Sequence, residues 1–288
     1  MSQDTARAWG WSVDKGWQPA EKLVIPALSP ALLYGETLFE SLRAHRGRWL
    51  AVREHLSRLE GSFEKWGWAH EPSFEQIRSL LDEGLSKIET SEGYARLTCW
   101  PSGTGRGPGI LPETASGWFL LVSQLNGDDS MEGPLASIGT ARSIGRDGWA
   151  LPYDSKHGNY LPSRWAAREA KSRGLDDVVL CRRDGSPVEA SASNLLIFDG
   201  EAWLTPELGK DGLNGIARAA LLDGGHIQEA PCTSDLLERA SSIALINSVR
   251  GLRVVERVDD RPLQESEEAV AHIRRAWMEV VERWLRDA

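Results

Sequence analysis

The chain predicts an α+β protein of two domains. Three observations point there. A length of 288 residues suits one large or two modest domains. Strand-like and helix-like segments recur in both halves. A polar, turn-rich stretch, Asn126-Gly127-Asp128-Asp129-Ser130-Met131-Glu132-Gly133-Pro134, separates them.

Taken in order, Leu38 to Ala44 reads as a strand, Arg46-Gly47-Arg48 as a turn, and Trp49 to Val52 as the partner strand. Arg53 to Trp66 follows as a helix, because Leu56, Leu59 and Phe63 fall at helical spacing. Phe74 to Ile88 is a second helix, with Ile77, Leu80, Leu81, Leu85 and Ile88 on one face. Ser73 is its N-cap and Gln76 completes a capping box. Tyr94 to Trp100 and Gly117 to Val122 read as strands around a Gly/Pro-rich loop.

Beyond the break, Ile138 to Ser143 is a strand and Tyr160 to Ser172 a helix that stops at Gly174. Val178 to Cys181 and Pro187 to Ala190 form a hairpin about Asp184-Gly185. Leu195 to Phe198 and Ala202 to Leu204 form another strand pair. Ile216 to Leu222 is a helix and Ile243 to Ile246 a short apolar strand. Glu265 to Arg286 is an amphipathic helix striped by Val270, Ile273, Trp277, Val280 and Trp284.

Composition narrows the function classes. Hydrophobic content of 41% and charged content of 26% are ordinary for a globular chain. Thirty-three basic against 42 acidic residues give −9, which argues against a general nucleic-acid surface. Cys99, Cys181 and Cys232 are odd in number and widely spaced, so neither a disulfide framework nor a zinc site is expected. Met1 to Arg7 lacks the apolar core of a signal peptide and no run reaches membrane-spanning length, so a cytoplasmic location is the default expectation. Thirteen tryptophans suggest only heavy use in packing.

The chemistry concentrates after residue 150. Lys156 stands in Asp154-Ser155-Lys156-His157-Gly158-Asn159-Tyr160-Leu161. Glu189 opens Glu189-Ala190-Ser191-Ala192-Ser193-Asn194 on a predicted strand. Asn214-Gly215-Ile216-Ala217-Arg218 then opens a helix. A lysine amine can form a Schiff base with an aldehyde. An acid can hold a pyridine nitrogen protonated, making the ring an electron sink. A Gly-Ile turn at a helix start offers backbone N–H groups to a phosphate. Together these are the requirements of pyridoxal 5'-phosphate (PLP). A lone lysine is ordinarily a solvated surface residue; its neighbours are what make Lys156 informative.

These segments resemble the class IV aminotransferases, the fold-type IV PLP enzymes, from about Leu32 to Leu263. The resemblance implies a two-domain α+β fold like that of D-amino acid aminotransferase, with the cofactor between the domains. Residues 1–125 would form the smaller N-terminal domain, 126–134 the linker and 135–288 the larger PLP-binding domain. It implies Lys156 as the Schiff-base lysine and Glu189 as partner of the pyridine nitrogen. Arg58, Ile216, Ala217 and Ser248 would bind the phosphate, and Tyr160 would lie near the phenolic oxygen. Ser191, Asn194 and Gly215 would complete the cofactor pocket.

Within the family, three features are similar to aminodeoxychorismate lyases. Lys156 is followed directly by His157, Ser102-Gly103-Thr104-Gly105-Arg106-Gly107 resembles their glycine-rich loop, and Asn247-Ser248-Val249-Arg250-Gly251-Leu252 resembles their Asn-Ser-Leu-Arg-Gly segment. The resemblance thus implies a 4-amino-4-deoxychorismate lyase forming 4-aminobenzoate and pyruvate for folate synthesis. Arg106, Asn247 and His157 would face an anionic, carboxylate-bearing substrate. The alternative is a D-amino acid or branched-chain aminotransferase using the same lysine. A non-catalytic PLP-binding protein is disfavoured, because Lys156, Glu189 and Arg58 are all retained. Thr37 and Thr104 stand where the family has glycine. A homodimer is implied; no membrane, nucleic-acid or metal partner is expected.

Overall fold

The computed structural model describes residues 8–68, 72–101, 115–125 and 131–288, with 115 and 116 described by their backbone alone. The chain divides into two compact units: 1–127 with 155–159 and 284–288, and 128–154 with 160–283. The Lys156 segment therefore belongs with the N-terminal residues, although it lies in the C-terminal half of the chain. Most of the 126–134 stretch lies outside the described residues.

The first unit contains β1 (Ala8–Ser12), β2 (Gly16–Pro19), α1 (Pro30–Tyr34), β3 (Leu38–His45), β4 (Arg48–Trp49), α2 (Val52–Trp66), α3 (Phe74–Ile88), β5 (Gly93–Pro101) and β6 (Ala115–Gln124). Its six-stranded sheet has the order β2-β1-β6-β5-β3-β4, with every neighbouring pair antiparallel. Alternation along β3 and β5 sends Leu38, Leu42, Ala44, Ala95, Leu97 and Cys99 into one core, where they meet Leu56, Leu59 and Phe63 of α2 and Ile77, Leu81 and Ile88 of α3. Trp9, Trp11 and Trp17 pack on that core, and Trp11 stacks on Trp118 at 4.5 Å between centroids. Several of the tryptophans are thus packing residues.

The strand expected over 49–52 ends at Trp49. Ala51 adopts φ 51° and caps α2, so Val52 is already helical. Ser73 caps α3 as expected, accepting from Gln76 N–H at 3.3 Å. The hairpin β1–β2 and α1 were not legible in the sequence.

The second unit contains β7 (Ala136–Thr140), α4 (Leu161–Ser172), β8 (Asp177–Cys181), β9 (Pro187–Ala190), β10 (Asn194–Phe198), β11 (Trp203–Pro206), α5 (Ile216–Asp223), β12 (Gln228–Ala230), α6 (Ser234–Arg239), β13 (Ser242–Asn247), β14 (Gly251–Val258) and β15 (Arg261–Pro262), with most of α7 (Glu267–Asp287). The nine-stranded sheet runs β12-β11-β10-β13-β14-β7-β8-β9 with β15 on β14, and β9 pairs β10 as well, closing a ring. Its core gathers Ile138, Val179, Leu195, Ile197, Ile243, Leu245 and Val255. β7 stops at Thr140 rather than Ser143. The N–H groups of Arg142 and Ser143 donate to the Glu169 carboxylate, at 2.8 and 3.0 Å, instead of to a ladder. The expected α7 stripe is buried, and Trp277 Nε1 donates to Met131 O at 2.6 Å.

Candidate active site

Lys156 is held by its backbone. Its carbonyl accepts from Phe39 N–H at 2.9 Å, Gly158 N–H donates to Thr37 O at 2.8 Å, and His157 bridges Leu38. The segment thus extends the start of β3, and the Lys156 amine lies 4.7 Å from the Phe39 ring centroid. The Arg96 guanidinium lies 3.6 Å from the same centroid, with Nε donating to Thr98 Oγ1. Phe39, Arg96 and Thr98 share one face of the sheet, as the Phe39–Thr98 and Ser41–Arg96 pairings require. Thr37 Oγ1 occupies the space a Cβ on Gly158 would need, so Gly158 is what accommodates threonine here.

Glu40 points the other way, into the core face. Buried among Leu38, Leu42 and Leu97, a carboxylate needs a counter-charge and hydrogen-bond donors. Two residues one turn apart on α2 provide them: His55 Nδ1 lies 2.7 Å from Oε2, and Arg58 donates through Nε (2.8 Å) and Nη2 (2.7 Å). Burial alone would push the Glu40 carboxyl up, but Arg58 and His55 overcome it and hold it down to about 2. Burial pushes His55 below its usual value, with Arg58 and Lys156 adding to that against Glu40. Arg58, assigned from the sequence to a phosphate, is thus aimed by Glu40. His157 is buried, with Nδ1 accepting from Asn159 N–H at 3.2 Å and its ring beside Trp66.

In the second unit Glu189 lies near the end of β9 and pairs across the Ser191–Ser193 turn with Asn194. Arg146 Nη2 lies 2.8 Å from Glu189 Oε1, and Leu213 N–H donates to Oε2 at 3.1 Å. Asn194 Nδ2 donates to Leu213 O at 2.8 Å, so one backbone residue is clamped from both sides. Gly215 follows, and a Cβ there would collide with Asn194 Oδ1. It caps α5 without a side-chain hydrogen bond, leaving the first amides, at Ile216 and Ala217, uncapped by any side chain. Arg218 anchors the helix through Thr205 Oγ1, Asn214 Oδ1 and Pro206 O.

Asn247 joins two loops. Nδ2 donates to Ala192 O and Ser193 Oγ, while Oδ1 accepts from Val249 and Arg250 N–H. All four hydrogen-bonding positions of its amide are engaged within these loops. It thereby fixes the turn carrying Ser248. Ser191 N–H donates to Asp177 Oδ1 at 3.1 Å. Burial pushes the Asp177 carboxyl up, against hydrogen bonds from Ser191 and Val178. Tyr160 stands at the N-cap of α4. Arg106 and the rest of its loop lie outside the described residues.

The first unit thus holds Lys156, Arg58 and His157 of the expected set, and the second holds Glu189, Tyr160, Ser191, Asn194, Gly215, Ile216, Ala217, Asn247 and Ser248. Glu40, His55, Arg146, Asp177 and Leu213 were not singled out. Glu40 had a signal, because period-2 alternation of Leu38, Glu40, Leu42 and Ala44 sets a charge at a core position. Arg146 lies in irregular chain, where periodicity offers no signal.

Fold and site define a two-unit α+β protein with a lysine pinned beside a strand in one unit and, in the other, a buried acid tied to the turn that opens a glycine-capped helix. The family model for amino-transferase class IV matches residues 37–258, and the chain belongs to that family. It is 25% identical over 249 residues to a provisionally named branched-chain-amino-acid aminotransferase of Methanocaldococcus jannaschii, covering 82% of this chain and 83% of that one. It is 24% identical over 232 residues to the D-alanine aminotransferase of Listeria monocytogenes, covering 78% and 79%. Among solved structures, a Brucella abortus aminotransferase bound to PLP superposes with a TM-score of 0.83 at 22% identity, covering 96% and 99%. A Legionella pneumophila protein provisionally described as a 4-amino-4-deoxychorismate lyase gives 0.77 at 22%, covering 89% and 97%.

Proposed function

We propose that this chain is a PLP-dependent enzyme acting on a carboxylate-bearing amine, and that its reaction is 4-amino-4-deoxychorismate cleavage to 4-aminobenzoate and pyruvate. The observation that carries the cofactor assignment is the α5 start: Gly215, pressed on Asn194, begins the helix with no side-chain cap, so the Ile216 and Ala217 amides are the donors a phosphate would take. When bound, PLP supplies an electron sink for bonds at the substrate's amine-bearing carbon.

The chain's own residues do the rest. Lys156 would hold the cofactor through its amine and would serve as general base for the proton on the substrate's amine-bearing carbon. Its pinned backbone limits the positions the amine can reach. Glu189 holds the proton on the ring nitrogen. Arg58, aimed by Glu40, and Ser248 join the α5 amides on the phosphate. Tyr160 would lie by the phenolic oxygen, and Ser191 and Asn194 would shape the pocket. Arg106 grips a substrate carboxylate as a bidentate pair. Loss of the C3 enolpyruvyl oxygen then makes the carbocycle aromatic, which drives the cleavage.

Support for the lyase comes from Lys156-His157, the Ser102–Gly107 loop and the Asn247–Leu252 segment. The names of the curated relatives favour a second reading, a branched-chain or D-amino acid aminotransferase. Incubating the PLP-loaded protein with aminodeoxychorismate and no keto acid separates them. Equal amounts of 4-aminobenzoate and pyruvate support the lyase. No product, followed by amino transfer to a keto acid, supports the aminotransferase.

A homodimer fits the exposed Val24, Leu32, Leu33 and Tyr34 of the first unit, and light scattering tests it. Among the described residues no helix is long and apolar enough to cross a membrane, which is compatible with the cytoplasmic location we propose.

A further inference from the structure

Arg146 lies in irregular chain between β7 and α4, tied down by its backbone N–H donating to Cys181 O at 2.9 Å. Its guanidinium is 5% exposed. Nη2 reaches Glu189 Oε1 at 2.8 Å and Ser163 Oγ at 3.2 Å, and the group lies 4.3 Å from the Tyr153 ring centroid. Nε is buried without a hydrogen-bond partner.

As a stabilising device this arrangement is poor. A buried ion pair gains little or nothing over apolar packing once desolvation is counted. An unsatisfied buried N–H costs a further ~1–3 kcal/mol. What the pair does achieve is control of one carboxylate. The guanidinium favours the ionised form of Glu189, and Leu213 N–H fixes its other oxygen.

We propose that Arg146 is a positioning residue that makes Glu189 a weak base, so that the proton shared between this carboxylate and the cofactor's ring nitrogen stays on the nitrogen. The inference rests on the reading that Glu189 faces that nitrogen. Two arrangements compete for the one proton: carboxylate with pyridinium, and carboxylic acid with neutral pyridine. The Arg146 charge stabilises the first. Loss of that charge moves the proton onto Glu189 and weakens the sink at which Lys156 works.

The test uses full-length protein loaded with PLP carrying 15N at the ring nitrogen, as wild type, Arg146→Gln and Arg146→Lys. Borohydride reduction and mass spectrometry of the Lys156 peptide come first. No cofactor adduct on Lys156 overturns both this inference and the functional reading beneath it. With the adduct present, the 15N resonance of the wild type is expected at the pyridinium position. In Arg146→Gln it moves toward neutral pyridine, and kcat falls roughly 10–100-fold with little change in KM, by analogy with loss of an outer partner at a metal site. Arg146→Lys restores the pyridinium signal, since charge is the operative property. An unshifted resonance in Arg146→Gln with kcat within about twofold of wild type overturns the role of Arg146 alone. Should the Gln variant fail to fold, the wild type and Arg146→Lys decide. A neutral-pyridine resonance in either overturns the inference, and pyridinium in both supports it.

Discussion

Two buried carboxylate–arginine pairs, one in each unit, use the same chemistry to opposite ends. In the first unit both oxygens of Glu40 are spent on Arg58 and His55, which fixes the arginine proposed for the phosphate. In the second unit Arg146 holds one oxygen of Glu189 while the Leu213 amide holds the other. The two carboxylates differ in where their partners come from. Glu40 has a guanidinium and an imidazole as partners, both on one regular helix, and is held down to about 2. Two partners of Glu189, the Arg146 guanidinium and the Leu213 amide, come from irregular chain.

The largest effect that sharpens this comparison is at the residue whose chemistry both pairs are proposed to support. Lys156→Ala is expected to abolish turnover and the absorbance of the lysine-bound cofactor; near wild-type activity would sink the assignment.

Next comes Glu40→Gln, which leaves Arg58 and His55 without their anion. Unfolding in denaturant should show a loss of about 3–5 kcal/mol, the usual result of removing one partner of a buried pair. A loss below about 1 kcal/mol would mean that the cluster behaves like a surface pair and that Glu40 does not aim Arg58.

The wild type should show the same cluster in its acid response. Both groups have depressed native values, so each adds stability above its unfolded value and loses it as the pH falls. His55 begins to withdraw support below about 6.5, and Glu40 between 4.5 and about 2. The Glu40 share is on the order of 3 kcal/mol. Denaturation midpoints measured from pH 7 down to 3 should fall in wild type and fall less in Glu40→Gln. Parallel curves would remove Glu40 from the account.

In the second unit, Gly215→Ala places a methyl against Asn194 Oδ1. PLP affinity should drop at least about tenfold, as expected when a close backbone approach at a helix N-terminus is blocked, while pyridoxal without phosphate binds as before. Equal loss for both ligands would argue against a phosphate turn. The smallest effect is expected for Asn247→Ala. It unfastens the Ala192–Ser193 loop from the Ser248 turn at a cost of about 1–3 kcal/mol, with cofactor affinity lowered before KM for substrate. The reverse order would return Asn247 to the substrate.

Much of the scaffold was legible because it depends on local periodicity. The helices over 53–66, 74–88 and 216–222 and the hairpin at Asp184-Gly185 appear within a residue or two of expectation. Where local chemistry is ambiguous, the reading slipped: Ala51 turns the chain in a left-handed conformation that an apolar run does not announce. The Ala8–Ser12 and Gly16–Pro19 hairpin carries alternating tryptophans, yet its partner strand β6 lies over a hundred residues away.

The candidate site divides along the same line. Lys156, Glu189 and the Gly215-Ile216 turn, the residues of the proposed site, were singled out from the chain alone, because a Schiff base, a pyridinium partner and a phosphate turn each demand a particular residue type and the three occur in order. Family membership followed from the same residues. The supporting cast belongs to the tertiary structure. Burial made a carboxylate at Glu40 require His55 and Arg58, the loop geometry engaged Asn247 fully and enclosed His157, and the return of irregular chain brought Arg146 to Glu189. Residue type decides what chemistry a group can do, while burial and partners, which come from residues far apart in sequence, decide which charge it holds and where it points.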